Sequence, residues 1–394
     1  MTIALILPQP PAYSETFFRS KIQGLQESGH EVILVTAATD QTFETCQHLQ
    51  HPKVSKNPFV QVFKMLSVFI GLLRYSKSVS KFIQLEKKEG SSVKRILEKL
   101  YINATLLKLN TDWLHFGFST MAIDRELVAK AIGAKLALSL RGYDIDVYPL
   151  KDKLCYKLLW QKVDKVHSIS SYLLDKAAGL GLSTDVDFQI ITPAVDVDKF
   201  KSVSTYQKKS SGKLKLLTIA RLHWIKGLDD LIEAASYLKE QKIDFEWNII
   251  GSGDQKHKER YKFHVYQKQL RDQIIFLGKQ THEETIDYLQ KTDIYVQTSM
   301  SEGFCNAVLE AQALGKLCVA YDAGALSENI VHEQTGWLVQ KNQPKLLAEK
   351  ILKVLHLDQQ TKKSIQQTAM ERVKNEFTLK QQKEKFNAFY SITT

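Results

Sequence analysis

The chain alternates predicted strands with predicted helices in two successive series. In the first series, residues 3–7 and 31–35 are apolar runs of strand length, and residues 16–28 between them have the pattern of a helix that ends at Gly29. Strand, helix and strand in this order build a parallel sheet, because a parallel connection needs a long crossover. Further strand candidates lie at 113–116, 134–140 and 165–168. The alternation predicts an α/β fold that opens with a doubly wound domain.

A second alternating series follows a polar stretch rich in serine and lysine. Its strand candidates are residues 215–219, 245–250, 274–277 and 293–296, with a helix predicted over 228–240. A chain of 394 residues suits two domains of about 200 residues each. We predict a Rossmann-like domain over 1–200, a linker over 201–213, a second Rossmann-like domain over 214–376 and a closing segment over 377–394. That segment carries Phe386, Phe389 and Tyr390 at helical spacing.

Composition and cysteine spacing favour a reducing, cytoplasmic setting. The chain is 44% apolar and 25% charged, as in well-packed soluble proteins. The four cysteines show no close pair spacing of the kind that zinc sites and disulfide scaffolds use; they are Cys46, Cys155, Cys305 and Cys318. No basic region precedes the apolar residues 3–7, so the N-terminus reads as a first strand and not as a signal peptide.

Two glutamates flank a predicted loop-to-helix junction in the second domain. Glu302 lies in the loop after the strand candidate 293–296, and Glu310 lies in the predicted helix 307–314, with seven residues between the two. Parallel α/β sheets bind ligands at the carboxyl ends of their strands, where such loops lie. Eight helical steps advance the chain by about 12 Å, so the two carboxylates suit one elongated polyol ligand. The alternative is that Glu302 caps the helix and Glu310 is a solvated helix residue.

The motif around these glutamates, EGFCNAVLEAQALGKLCVA, resembles the donor site of retaining GT-B glycosyltransferases, the glycosyl transferases group 1 family. The resemblance implies two Rossmann-like domains facing across a cleft, with a closing helix that returns to the first domain. It implies that Glu302 lies by the donor sugar and its phosphates, and that Glu310 accepts hydrogen bonds from the ribose. It also places a short stretch of backbone towards the diphosphate at a helix N-terminus, namely Gly303, Phe304, Cys305 and Asn306.

A basic loop directly after the first strand of the second domain resembles the family's Arg-Leu-x-x-x-Lys-Gly loop. Arg221 and Lys226 match its two cations, which hold the donor diphosphate. Cations at this point would stabilise the negative charge that the leaving nucleoside diphosphate gains as the glycosidic bond breaks. A surface loop with ordinary basic residues is the alternative. Three glycines match nucleotide-facing turns of the family, although Gly-x-Gly also serves any tight turn; they are Gly251, Gly253 and Gly278.

The first domain follows the family pattern more loosely, and it is similar to a subgroup of exopolysaccharide and colanic-acid-type transferases. His115 and Arg141 lie in segments that resemble this subgroup, and the resemblance implies that they belong to the catalytic site. Many members have histidine at the position of Arg141, where it contacts the donor sugar. Arginine keeps its charge and hydrogen-bonds a sugar or a phosphate differently. His115 has the alternative of being a satisfied core histidine.

We predict neither a metal nor a cofactor. Three Asp-x-Asp pairs match the metal motif of a different transferase fold only superficially, and turn formation explains them better; they are Asp144-x-Asp146, Asp185-x-Asp187 and Asp196-x-Asp198. The pair Arg221 and Lys226 would replace a divalent cation. The donor substrate is expected to be a UDP- or GDP-sugar.

The net charge of +11 is concentrated in residues 51–100, which carry eleven Lys or Arg against three Glu. The same segment has apolar residues at spacings of four and three from Phe59 to Leu73, as in an amphipathic helix. Residues 59–99 are thus a candidate for binding an anionic membrane surface. Packing on the domain is the alternative. The longest apolar run, residues 65–73, is shorter than the roughly 20 residues of a membrane span. No nucleic-acid-binding pattern stands out.

These features predict a cytoplasmic, metal-independent, retaining hexosyltransferase. It would extend a polysaccharide or a lipid-linked saccharide, and a peripheral location at the inner face of the plasma membrane stays open. Two other classes stay open: an epimerase of the same fold, and a non-catalytic subunit that binds nucleotide sugars.

Overall fold

The computed structural model describes residues 1–11, 16–197 and 212–391. The chain divides into two compact units, Met1–Ile191 with Lys383–Thr394, and Thr192–Gln382. Most of the linker predicted over 201–213 lies outside the described residues.

The first unit is built on one parallel sheet. Its strands are β1 (Thr2–Ile6), β2 (Glu31–Thr36), β3 (Gln47–Gln50), β4 (Trp113–Phe116), β5 (Lys135–Leu140), β6 (Lys165–Ser168) and β7 (Asp187–Ile190). Among the described residues the strand order is β3-β2-β1-β4-β5-β6-β7. Its helices are α1 (Thr16–Glu27), α2 (Pro58–Leu72), α3 (Ser76–Lys88), α4 (Val93–Ile102), α5 (Ala104–Leu107), α6 (Val128–Ile132), α7 (Tyr143–Asp146), α8 (Lys157–Lys162) and α9 (Ser171–Gly179).

The second unit repeats this plan on a second parallel sheet. Its strands are β8 (Leu214–Ile219), β9 (Phe245–Ile250), β10 (Ile274–Gly278), β11 (Ile294–Gln297), β12 (Leu317–Asp322) and β13 (Trp337–Gln340). Their order is β10-β9-β8-β11-β12-β13 in the described part of the chain. The remaining helices are α10 (Leu228–Glu240), α11 (Gln255–Gln267), α12 (His282–Lys291), α13 (Asn306–Ala313), α14 (Leu326–Asn329), α15 (Pro344–His356), α16 (Gln359–Glu376) and α17 (Leu379–Tyr390).

The predicted α/β class with two parallel sheets is confirmed. Central strands are apolar along their whole length because helices cover both faces of a parallel sheet. In β1, for example, Ile3, Ala4, Leu5 and Ile6 are almost completely buried. Four strands were not predicted, namely β3, β7, β12 and β13. The edge strands β3, β7 and β13 are each only four residues long and carry no sustained apolar run. Strand β12 overlaps the motif around Glu302 and Glu310, which predicted only a binding site.

The position of the strand-order reversal decides where each sheet can bind a ligand. In the second sheet, β8 and β11 are neighbours; the chain proceeds from β8 towards one edge and from β11 towards the other. Connections on opposite sides of such a reversal leave a crevice at the carboxyl ends of the two strands. The loops after β8 and β11 are therefore the expected ligand-binding loops, and both carry predicted site residues.

The final helix contributes to the core of the first unit. Phe389 and Tyr390 of α17 are completely buried there, and their rings lie 6.3 Å and 5.7 Å from the ring of Trp113. The predicted helical spacing of these aromatic residues is confirmed, with the helix ending at Tyr390.

Helices α2 and α3 form one continuous helical stretch through the 3₁₀ turn Leu73–Tyr75. By length and composition alone, this stretch, Pro58–Lys88, is long and apolar enough to cross a membrane. The result differs from the expectation based on the apolar run 65–73. Lys64 and Arg74 flank that run, but they do not end the helical stretch. Whether a helix can span a bilayer depends on the length of the whole helix and not on its longest uninterrupted apolar run.

Candidate functional site

An ion pair joins the two loops that follow the central strands of the second sheet. Lys226 Nζ lies 2.5 Å from Glu302 Oε1, and the two side chains are 17% and 9% exposed. Lys226 ends a short 3₁₀ turn after β8, and Glu302 lies in the loop between β11 and α13. The structure therefore brings these two predicted residues together across 76 positions of sequence.

Neutral donors hold the Glu302 carboxylate in place. Ser299 Oγ donates to Glu302 Oε1 at 2.7 Å, and Gln297 Nε2 donates to the same oxygen at 3.3 Å. Gln297 in turn accepts a hydrogen bond from the buried hydroxyl of Tyr295. A carboxylate that accepts several hydrogen bonds is held in one position by the groups that donate to it. Glu302 does not cap α13, because the N-cap residue of that helix is Cys305.

The second predicted cation, Arg221, lies exposed at the start of the same basic loop. Within the described residues its guanidinium has no ion pair. The two cations thus differ in their surroundings: Glu302 compensates the charge of Lys226, whereas Arg221 faces solvent. A bound dianion would add a partner to both, and only Lys226 would have to share its charge with an existing carboxylate.

The glycine turns pack directly against this loop. Gly251 N donates to the carbonyl of Gly278 at 2.8 Å, and Leu222 N donates to the carbonyl of Ser252 at 3.0 Å. The basic loop is also tied to the β11 loop, since Met300 N donates to Ile225 O at 2.8 Å. The loops after β8, β9, β10 and β11 therefore form one hydrogen-bonded cluster at the carboxyl edge of the sheet.

The start of α13 only partly matches the predicted arrangement. Gly303, Phe304 and Cys305 are buried, and Asn306 is the exposed first residue of the helix. The backbone N–H of Cys305 donates to Asn329 Oδ1 at 2.9 Å, so it is not directed at a ligand. Burial raises the pKa of the Cys305 thiol to about 12, which keeps the thiol neutral.

Glu310 lies within the second turn of α13, with its side chain 20% exposed. His282 Nε2, at the start of α12, lies 3.1 Å from Glu310 Oε1. Sequence reasoning missed this histidine, which belongs to a neighbouring helix 28 positions away and carries no motif of its own. It also missed Asn329, whose side-chain oxygen accepts the hydrogen bond from the backbone N–H of Cys305. Only the fold brings these polar residues to the site.

The two candidates in the first unit belong to neighbouring strands of its sheet: His115 lies within β4, and Arg141 comes directly after the end of β5. His115 is completely buried in β4; Tyr390 Oη lies 2.6 Å from its Nδ1, and Ser139 Oγ lies 2.7 Å from its Nε2. Burial lowers the pKa of His115 well below its usual value, and the nearby Lys21 lowers it further. These contacts are those of a core histidine, the alternative that the sequence left open. Its role in the catalytic site stays a prediction.

Arg141 follows β5 and is half-buried. Its guanidinium stacks over the ring of Phe17 at 4.0 Å and over the ring of Phe18 at 4.8 Å. Both rings belong to α1, the helix after the first loop of the chain. Stacking on aromatic rings restricts a guanidinium to one plane and leaves its edge for hydrogen bonds. Arg141 thus remains a candidate for recognising a sugar or a phosphate.

The first of the three Asp-x-Asp pairs, Asp144-x-Asp146, has structural partners. Asp144 accepts hydrogen bonds from the backbone N–H groups of Ser119, Arg141 and Gly142, which explains its complete burial. Asp146 pairs with Lys176. The described part of the chain contains no group of three His, Cys, Asp or Glu side chains that could hold a metal ion. Metal independence itself stays a prediction.

Comparison with known proteins supplies an independent view of the chain. Residues 202–372 match the family described as "Glycosyl transferases group 1". The chain is 24% identical over 397 residues to the putative colanic acid biosynthesis glycosyltransferase WcaL of Escherichia coli, covering 96% of both chains. It is 26% identical to the amylovoran biosynthesis glycosyltransferase AmsK of Erwinia amylovora, covering 61% of this chain and 60% of that relative.

The fold has counterparts among solved structures. Anabaena HepE in complex with UDP-glucose superposes with a TM-score of 0.71 at 16% identity, with 98% of each chain covered. The predicted GT-B fold is thereby confirmed.

Proposed function

We propose that this chain, whose residues 202–372 match the Glycosyl transferases group 1 family, is a retaining hexosyltransferase of exopolysaccharide synthesis. Its donor is a nucleotide diphosphate sugar, and its acceptor is a polysaccharide or a lipid-linked saccharide. The observation that carries the proposal is the ion pair of Lys226 with Glu302 across the two loops beside the strand-order reversal, with Arg221 on the same basic loop as Lys226. The names of WcaL and AmsK support the exopolysaccharide setting, and the HepE complex supports a UDP-sugar as the first donor to test.

These three residues fit the charge changes of glycosyl transfer. The bond between the anomeric carbon and the β-phosphate oxygen breaks, and the bonding pair leaves with the diphosphate. Arg221 and Lys226 would stabilise that negative charge without a metal ion. The acceptor oxygen bonds to the anomeric carbon on the same face, and its proton passes to the departing phosphate oxygen. Glu302 would orient the donor sugar and hold Lys226 in place.

No side chain of the described site is arranged as a nucleophile. The Cys305 thiol is neutral, and the Glu302 carboxylate is engaged by Lys226, Ser299 and Gln297. This supports attack on the same face as departure over a double displacement through a covalent intermediate.

A donor screen tests the proposal. The purified protein is incubated with UDP-glucose, UDP-galactose, UDP-GlcNAc, GDP-mannose or GDP-fucose, with and without EDTA, and nucleoside diphosphate release is followed. We expect slow release from one donor, unchanged by EDTA. Interconversion of sugars without release would instead identify an epimerase. Protection against thermal unfolding without turnover would identify a non-catalytic binding subunit.

Glu310→Ala is expected to weaken binding of the matching nucleoside diphosphate by about 1 to 3 kcal/mol, because hydrogen bonds from the ribose to a carboxylate are lost. The pairing with the exposed His282 contributes little to stability, so the variant should fold normally. Titration calorimetry measures the affinity. Glu371→Ala, on an exposed position of α16, is the matched control and should bind as the wild type does. Equal affinity in both variants would reject ribose recognition by Glu310.

A further inference from the structure

The first unit exposes a row of large apolar side chains along α2 and at the start of the 3₁₀ turn after it, here called the apolar stripe. It consists of Phe59, Phe63, Leu66, Ile70 and Leu73, which are 55% to 78% exposed. Spacings of four and three place them on one face of the helix, while Leu72 on the opposite side is buried. Soluble proteins rarely leave so many large apolar side chains together in water, so the stripe indicates a contact surface.

Cations continue the same face of the helix beyond the apolar stripe. Lys77 follows Leu73 by four positions, and Lys81 follows Lys77 by four, within the continuous stretch Pro58–Lys88. Both lysines are exposed, and neither forms an ion pair in the described part of the chain. The three acidic residues of the segment are already paired; they are Glu86 with Lys99, Glu89 with Lys162, and Glu98 with Arg95. The positive charge of this surface is therefore not compensated locally.

An apolar groove lies beside the apolar stripe and enlarges it. The groove has a volume of about 500 Å³ and lies between α2, α3 and α4. Six of its lining residues are apolar and four are polar; they are Phe69, Leu72, Leu73, Val79, Ile83 and Leu100, and Ser76, Ser80, Gln84 and Lys87. Apolar side chains bordered by lysines match the chemistry of a lipid surface, where acyl chains lie beneath charged headgroups.

The contacts of α3 indicate that the helix lies on its domain and does not leave it to cross a bilayer. Phe82 is completely buried, and Glu86 is buried against Lys99 at 2.9 Å. Extraction of α3 into a membrane would leave Lys99 buried without this partner, which is strongly unfavourable. Pairing two copies of the chain through this face is also disfavoured, because it would bring the uncompensated lysines of both copies together.

We propose that the apolar stripe, with Lys77 and Lys81, binds the surface of an anionic lipid bilayer. The apolar side chains enter the boundary between headgroups and acyl chains, and the lysines contact lipid phosphates. The helix lies parallel to the membrane plane. The proposal concerns a surface of the first unit and does not depend on the donor chemistry of the second.

Flotation of the full-length protein with vesicles tests the proposal. One vesicle is phosphatidylcholine alone, and the other contains phosphatidylcholine with phosphatidylglycerol. We expect binding to the anionic vesicles that weakens as salt is added. Lys77→Gln with Lys81→Gln should weaken that binding about 30-fold, from the free energy that each cation contributes near an anionic surface. Phe63→Ser with Ile70→Ser should weaken it at least about tenfold, because less apolar surface enters the lipid.

The matched control is Phe263→Ser with Lys345→Gln, two exposed positions of the second unit, which should bind vesicles as the wild type does. Donor hydrolysis without vesicles should be unchanged in all these variants. Flotation therefore tests the membrane proposal, and hydrolysis tests the proposed function, independently of each other. The proposal is overturned if the wild type floats with neither vesicle, or if the Phe63 and Ile70 substitutions leave flotation unchanged. It is also overturned by a dimer in solution that those substitutions dissociate, or by resistance of the membrane-bound protein to alkaline extraction.

Discussion

Lys226→Met is expected to lower kcat for donor turnover about 100- to 1000-fold, with a smaller effect on KM. Removal of one preorganised group that stabilises transition-state charge typically has this size. The effect falls on kcat because the diphosphate gains negative charge only as the glycosidic bond breaks. Steady-state kinetics with the donor identified in the screen measures both constants.

The substitution also leaves the Glu302 carboxylate largely buried without its cation, which destabilises the unit by an amount that must be measured separately. Thermal unfolding of the same preparations supplies that measurement. Lys316→Met is the matched control. Lys316 is similarly buried and donates to the carbonyl of Gln290, but it precedes β12 and therefore lies at the amino ends of the strands, away from the site. It should keep wild-type kcat whatever its stability.

Glu302→Gln separates the two roles of the pair. Suppose that Glu302 acts only by holding Lys226. The variant that combines Lys226→Met with Glu302→Gln would then have the same kcat as Lys226→Met alone, as expected for residues that act as one unit. A further loss in the double variant would give Glu302 its own contact with the donor sugar. A folded Lys226→Met protein with kcat within about threefold of wild type would contradict the role given to this cation.

Gly251→Ala is expected to destabilise the second unit by about 4 kcal/mol, the sum of overpacking and backbone strain. An added Cβ would lie 1.9 Å from the carbonyl oxygen of Ala220, and the backbone φ of +141° is unfavourable for alanine. The neighbouring loop cannot move away easily, since Ala220 N is bonded to Ile250 O at 2.9 Å. Denaturant unfolding with urea measures the change in free energy.

Gly278→Ala is the matched control for this prediction. Gly278 also has a positive φ, +74°, but no atom lies within 4 Å of an added Cβ. Only the backbone conformation should therefore contribute, at about 1 to 2 kcal/mol. Equal destabilisation by the two substitutions would show that the contact with Ala220 is unimportant. The steric requirement at Gly251 stands whether or not a nucleotide binds there.

Much of this architecture could be predicted because it depends on local pattern. Apolar runs of strand length and helical stretches such as 16–28 mark the α/β class, because each element must bury one face. The site residues of the second unit follow from order along the chain: a basic loop after the first strand, then Glu302 and Glu310 around a later helix. Parallel strands bring such loops to one edge of the sheet, which is why Lys226 and Glu302 meet.

Other features could not be predicted, because they depend on which side chains the fold brings together. The Cys305 N–H, which we expected to face the diphosphate, donates to Asn329 instead. His282 of another helix forms a hydrogen bond with Glu310. Neither residue carries a pattern that links it to its partner. The charge of a residue is likewise visible in the sequence, whereas its compensation is not: Lys226 is paired and Arg221 is not, in the described part of the chain.

The sequence by itself determined the α/β class, the family-like motif of the second domain and the amphipathic nature of the segment after β3. Only the tertiary structure decided that His115 lies completely inside its unit, and that the apolar side of α2 faces water while Leu72 faces the protein. The physical reason is that periodicity specifies which residues share a helix face. Burial depends on which other element packs against that face, and that choice is made by contacts between residues far apart in the chain.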